Sequence, residues 1–168
     1  MNNRPMIDVH LVRPEEFSEA GRVTALAWSH IPPNEEMGKF LSRVADVAGR
    51  AETTSVFIAA IDGQMVGTVT LELESRVLDP DNPAPLASGE CHVRMLGVNP
   101  IAQRKGIARA LMVRCIEDAR EAGKTVMSLN TSDQNGAAQG LYESMGFRRD
   151  PDVISAYGAK LRAYRLDL

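Results

Sequence analysis

Residues 90–130 read as a strand, a helix and a second strand in one continuous run, and that order leaves few topologies open. Residues 90–98 have the composition of a strand. Residues 104–122 carry Ile107, Leu111, Cys115 and Ala119 four apart, an apolar stripe on one helical face. Gly123 suits the left-handed residue that ends a helix. Residues 125–130 return as a strand. A strand–helix–strand unit of this length implies two parallel strands joined by a right-handed crossover.

The flanking sequence adds elements of both kinds. Residues 6–12 alternate as a first strand, and Pro14-Glu15-Glu16 suits a helix start. That helix is expected to reach Trp28, before Pro32-Pro33 breaks the chain. Met37, Phe40, Leu41, Val44, Ala45, Val47 and Ala48 form a helical stripe over residues 35–50. Residues 55–61 and 65–74 read as strands joined by the hairpin turn Asp62-Gly63. Residues 76–89 hold several prolines and no periodic pattern, so they are expected to form a functional or mobile loop. A short helix over 134–145 and strands over 147–149 and 159–168 complete an α/β chain, with one mixed sheet and helices on both faces.

Length and composition narrow the function classes. At 168 residues a single domain is expected. A net charge of −3 argues against a general nucleic-acid binder, which needs a basic face. The two cysteines, Cys91 and Cys115, fit neither a zinc pattern nor a disulfide framework, so reduced, buried thiols and no metal are expected. No window has the length and apolarity of a membrane span, and residues 1–5 lack a signal-peptide core, so the expected location is cytoplasmic.

Gln103-Arg104-Lys105-Gly106-Ile107-Ala108 stands where the crossover helix begins. A helix N-terminus offers unpaired N–H groups and a positive dipole end. Gly106 and Ala108 let a ligand approach the backbone, while Arg104 and Lys105 attract anions, so amides from Arg104 to Arg109 are placed to ring a phosphate or diphosphate. Taken alone, the same residues read equally as a solvated helix start. The GxxxxGK[ST] and GxGxxG patterns are both absent, which argues against nucleotide triphosphatases and dinucleotide binders. A phosphate-binding hydrolase lacks its GxSxG nucleophile.

Three segments together resemble the GCN5-related N-acetyltransferase (GNAT) superfamily. The turn 103–108 fits Q/R-x-x-G-x-G/A; Arg94-Met95-Leu96-Gly97-Val98-Asn99-Pro100 is similar to the strand before it; and residues 135–147 fit N-x-x-A-x-x-L-Y-x-x-x-G-F. The resemblance is strong over 90–147 and covers only the order of elements before that. It implies the GNAT fold: a single mixed, mostly antiparallel sheet of about six or seven strands with a splayed parallel pair. It also implies acetyl-CoA as cofactor and direct acetyl transfer to a primary amine in a ternary complex.

By that resemblance, Leu96 and Val98 offer backbone groups to the pantetheine arm and to the acetyl oxyanion, with Gly97 as a bulge or kink. Gln103, Arg104, Lys105, Gly106, Ile107, Ala108 and Arg109 hold the diphosphate, and Asn130 borders the cleft. Asn135 and Tyr142 lie seven residues apart, about 10 Å along a helix, with Ala138 between them on one face. Asn135 is expected to contact the cofactor arm, and Tyr142 to donate to the departing thiolate. The amine must lose a proton before attack. Where several family members carry a glutamate, this chain has His92, a base of suitable intrinsic pKa, with Glu90 of the same strand parity to hold or replace it; a water chain is the alternative.

The acceptor is expected to be a small-molecule amine, with selection by residues 28–39 and 76–89. Glu35, Glu36, Asp79 and Asp81 favour a cation there, and Trp28 and His30 either line the pocket or, for Trp28, anchor the core. A protein N-terminus or lysine, and a non-catalytic acyl-CoA-binding module, are the competing readings. The resemblance also implies a homodimer formed through the C-terminal strand.

Overall fold

A computed structural model describes residues 5–76, 84–155 and 158–168. The elements are β1 (Ile7–Leu11), α1 (Phe17–Leu26), α2 (Glu35–Ala45), α3 (Val47–Ala51), β2 (Ser55–Ile61), β3 (Gln64–Glu72), β4 (Ser75–Arg76), β5 (Ala84–Pro85), β6 (Glu90–Val98), α4 (Ile107–Glu121), β7 (Val126–Ser132), α5 (Gly136–Ser144), β8 (Arg148–Ile154) and β9 (Lys160–Asp167). Seven strands form a sheet in the order β1-β2-β3-β6-β7-β9-β8, and β4 pairs with β5 antiparallel. The parallel ladder is β6 with β7, as the strand–helix–strand pattern requires. Backbone contacts group the chain into two compact units, Met1–Thr70 with Met95–Arg114, and Leu71–Arg94 with Cys115–Leu168.

In the first unit, alternation along β3 sorts the helices. Thr68 Oγ1 lies 2.6 Å from Thr24 Oγ1 of α1, and Arg50 Nε of α3 donates to Thr70 Oγ1 at 3.3 Å. Gly67, of the opposite parity along the strand, faces α4, where an added Cβ would lie 2.9 Å from Ile107 and 3.1 Å from Leu111. Helices therefore cover both faces of this strand. Val12, Ala20, Val47, Val56, Ile58 and Ala60 pack as one buried cluster. The hairpin between β2 and β3 turns through Asp62 and Gly63, both left-handed (φ 50° and 77°), as Asp-Gly predicts.

Two helices depart from the sequence reading. The single helix expected over 35–50 is α2 and α3, split at Asp46, whose carboxylate accepts from Gly49 N at 3.0 Å and so caps a fresh helix start. The crossover helix begins at Ile107 rather than Arg104, because Arg104 (φ 65°) and Gly106 (φ 83°) are left-handed.

In the second unit β7 and β9 pair antiparallel from Val126↔Asp167 to Ser132↔Leu161, and β8 pairs on the far side of β9. The C-terminal strand is thus interior, with both its edges used, and a dimer formed by adding strands there would have to use β8. Tyr164 is buried under α5 and donates its hydroxyl to Glu143 Oε1 at 3.0 Å. Of the loop expected over 76–89, Asp79 and Asp81 lie outside the described residues. Among the described residues no helix is long and apolar enough to cross a membrane, and no group of three acidic, histidine or cysteine side chains could hold a metal ion.

Candidate active site

One group of candidate residues belongs to the unit that carries the first turns of α4, up to Arg114. After β6, Asn99 N donates to Val66 O at 2.8 Å, and its side-chain oxygen accepts from Ile101 N at 3.2 Å. Residues 103–106 then run exposed. Gln103 has φ −62°, Arg104 has φ 65° and Gly106 has φ 83°. A backbone that changes hand from residue to residue turns successive N–H groups toward one side, which makes an anion-binding concavity. Gly106 O accepts the first helical bond, from Ala110 N at 3.0 Å, so Ile107 and Ala108 supply amides of the first turn. A Cβ on Gly106 would meet nothing within 4 Å, so the space in front of this turn is open. The turn gathers the predicted Gln103, Arg104, Lys105, Gly106, Ile107, Ala108 and Arg109 in one stretch, with Ile107 buried as the anchor.

Leu96 and Val98 are half-buried. The kink expected at Gly97 is at Met95 instead, the one left-handed residue of β6, at φ 53°. Gly97 is small for another reason: a Cβ there would lie 2.8 Å from Ala27 Cβ and 3.3 Å from Trp28. Trp28 is half-buried and packs edge-on to Phe40 at 5.7 Å. His30, Glu35 and Glu36 are exposed, and Glu35 pairs with Lys39 at 3.0 Å.

A second group of candidate residues, in the other unit, lies on β6 up to Arg94, β7 and α5. The parallel ladder spans Glu90↔Val126 to Val93↔Leu129 and stops there, although β7 continues to Ser132. This register sets His92 opposite Ser128. His92 Nδ1 lies 2.8 Å from Ser128 Oγ, and Ser128 donates to Glu90 Oε1 at 2.7 Å, with Cys91 O at 3.3 Å. His92 is 4% exposed and Ser128 8%. Glu90 and His92 are joined through the Ser128 hydroxyl; no spacing in one strand could reveal this, since the parallel register creates the contact. Cys91 points the other way. Burial pushes its thiol up to about 11, with Lys124 pulling down and Glu90 pushing up, so it is a protonated core thiol at neutral pH.

Asn130 is half-buried and pairs with Ala163 of β9. Asn135 stands just before α5 as its N-cap, and its Oδ1 accepts from Ala138 N at 3.1 Å. Its side-chain NH2 is the group left to donate to a ligand. Ala138 and Tyr142 do share a face, one turn apart. Tyr142 is buried against Phe147 and Tyr164, with ring centroids at 5.7 and 5.9 Å. Burial, and then Cys115, raises the pKa of its hydroxyl above the ordinary tyrosine value, so it stays protonated at neutral pH.

A family model, Acetyltransferase (GNAT) family, matches residues 19–147. The chain belongs to the GNAT acetyltransferase family. Its GNAT fold is shared with ribosomal-protein-S18-alanine N-acetyltransferase from Escherichia coli (TM-score 0.68, 21% identity, 96% of this chain and 94% of that one). It is also shared with yncA from Salmonella typhimurium, determined with its cofactor acetyl-CoA (TM-score 0.71, 20% identity, 96% and 94%). In sequence the GNAT chain is 29% identical to mycothiol acetyltransferase of Cellulomonas flavigena over 86% of its length. It is 44% identical to L-amino acid N-acyltransferase MnaT of Escherichia coli over 36%. It spans 41% and 37% of those two relatives.

Proposed function

We propose that residues 1–168 act as one cytoplasmic N-acetyltransferase domain, moving an acetyl group from acetyl-CoA to the primary amine of a small molecule by direct transfer. The names of the relatives, a mycothiol acetyltransferase and an L-amino acid N-acyltransferase, support a small acceptor. The open turn over Gly106 fits the diphosphate of coenzyme A. The amides of Arg104 to Arg109 would hold it, with Arg104 and Lys105 steering and Gln103 bordering. Leu96 and Val98 would meet the pantetheine amides, with Asn130, Asn135 and Ala138 along the arm. When bound, acetyl-CoA supplies an activated acetyl thioester with a thiolate leaving group.

The chemistry left to the protein is proton movement, and one observation favours an enzyme over a passive binding module. The Ser128 hydroxyl has one proton, given to Glu90 Oε1, so its oxygen accepts from His92. His92 then carries its proton on Nδ1, and Nε2 holds the basic lone pair. That nitrogen takes the proton of the attacking amine. Tyr142, kept protonated by burial, donates to the departing sulfur.

The test is acetyl-CoA turnover against a panel of amines and a peptide N-terminus, read as free thiol, with coenzyme affinity measured separately by calorimetry. Transfer to small amines supports the proposal. Coenzyme binding without transfer to any acceptor makes the chain a binding module, and transfer confined to the peptide makes it a protein acetyltransferase. Gly106→Glu, in a folded protein by circular dichroism, is expected to weaken coenzyme binding at least tenfold or so; unchanged affinity would remove the turn from the site.

A further inference from the structure

Glu90, His92 and Arg94 follow one another at a spacing of two on β6, so they share one face of the strand. Arg94 lies about 7 Å along the strand from His92, just before the left-handed Met95. Its Nη1 donates to Oε1 of Glu72 on β3 at 3.2 Å. The Glu72 side chain is 0% exposed, and that of Arg94 is 25% exposed. A carboxylate taken wholly out of water thus grips one corner of a guanidinium whose remaining part reaches solvent.

We infer that Arg94, fixed by Glu72 beside the base, binds a carboxylate on the acceptor, so that the substrates are amines bearing a carboxyl group close to the nitrogen, as amino acids do. This rests on the acetyltransferase reading above and names its acceptor class. A guanidinium has five N–H donors in a planar fork, and among the described residues Glu72 is the one hydrogen-bond partner of Arg94. The unused donors match a second carboxylate. Purely structural work would not need this pair, since a buried ion pair contributes little net stability over apolar packing. The separation along β6 suits a small zwitterion, its carboxylate at Arg94 and its amine at His92.

The experiment pairs each amino acid of a panel with its carboxamide and with the amine lacking the carboxyl group. The wild type is expected to show kcat/KM at least about tenfold higher for the acids. Arg94→Gln alone leaves the buried Glu72 charge in place, so the double variant Glu72→Gln/Arg94→Gln, which removes both charges, is read alongside it. Collapse of the acid preference in that variant supports the assignment. Equal rates for acids and carboxamides in the wild type, or a preference that survives the double variant, overturns it. Ligand-observed NMR of N-acetyl amino acids and their carboxamides, with coenzyme A present, gives the same decision without turnover. Tighter binding of the acids, lost in the variant, supports Arg94, and equal binding overturns it. Carboxylate-selective binding by a chain that acetylates nothing would leave Arg94 standing and remove the enzyme reading instead.

Discussion

Two histidines sit on strands of this chain with a carboxylate close by, and they are not equivalent. His10 on β1 has Nδ1 3.0 Å from Asp8 Oδ2 and Nε2 3.0 Å from Glu16 Oε1. It lines a cleft of about 840 Å³ with Arg13, Glu15 and Glu19. His92 is buried, with a serine hydroxyl between its ring and Glu90. Where carboxylates take both ring nitrogens, neither is left to receive a proton from a substrate. At His92 a hydroxyl that donates to a carboxylate meets Nδ1 instead, which favours the tautomer protonated there. A histidine in a large cleft is therefore the weaker candidate here.

The broadest way to break this contrast is by substitution. His92→Gln is expected to lower kcat/KM by roughly 10²–10⁴, whereas His10→Gln should stay within about twofold. Steady-state kinetics on one acceptor checks both, and comparable losses would erase the distinction. Tyr142→Phe, which keeps the ring but removes the proton donor, should reduce kcat by about 10² with little change in KM.

A finer cut separates position from proton. The chain has three histidines, so nitrogen-15 NMR of the imidazoles is readily assigned with His10→Gln and His30→Gln variants. In the neutral ring, His92 should carry its proton on Nδ1. Ser128→Ala should release that preference and cost about tenfold in kcat, with partial recovery in Ser128→Thr. An Nε2-protonated His92 in the wild type would rule out Nε2 as the base.

The smallest effects concern the surroundings. Cys91, raised to about 11 by burial, should resist alkylation at pH 8 in the native protein and react once it is unfolded; rapid native labelling would show that the ladder opens. At β1, burial pushes the Glu16 carboxyl up, but the Arg13 amide and His10 outweigh it, leaving its pKa below the ordinary glutamate value. A depressed acid stabilises the fold above its unfolded pKa and loses that contribution as pH falls through the folded value. The stability difference between wild type and Glu16→Gln should thus be under about 1 kcal/mol near pH 7, begin to shrink near about pH 4 and disappear as pH falls through the lowered folded value, by urea titration.

The elements whose signals are local were legible in the chain alone. The stripe Ile107, Leu111, Cys115, Ala119 is fully or nearly buried, and the Asp62-Gly63 turn and β6 fall where expected. Such signals depend on periodicity and backbone freedom, which neighbouring residues set. The turn at Gly106 was legible for the same reason, although its helix starts three residues later than the apolar pattern suggests. Asn135 was legible as part of a motif, but its capping role depends on where α5 begins.

What the sequence by itself determined is the crossover and the residues of the turn that precedes α4, because each is written in consecutive positions. Only the tertiary structure decided that Ser128 stands between His92 and Glu90, that Glu72 grips Arg94, that Met95 rather than Gly97 bends β6, and that β9 is interior. The contacts among them join residues far apart in the chain through strand register, and a shift of one residue would send every side chain to the opposite face. The bend at Met95 is a backbone state that its side chain does not announce.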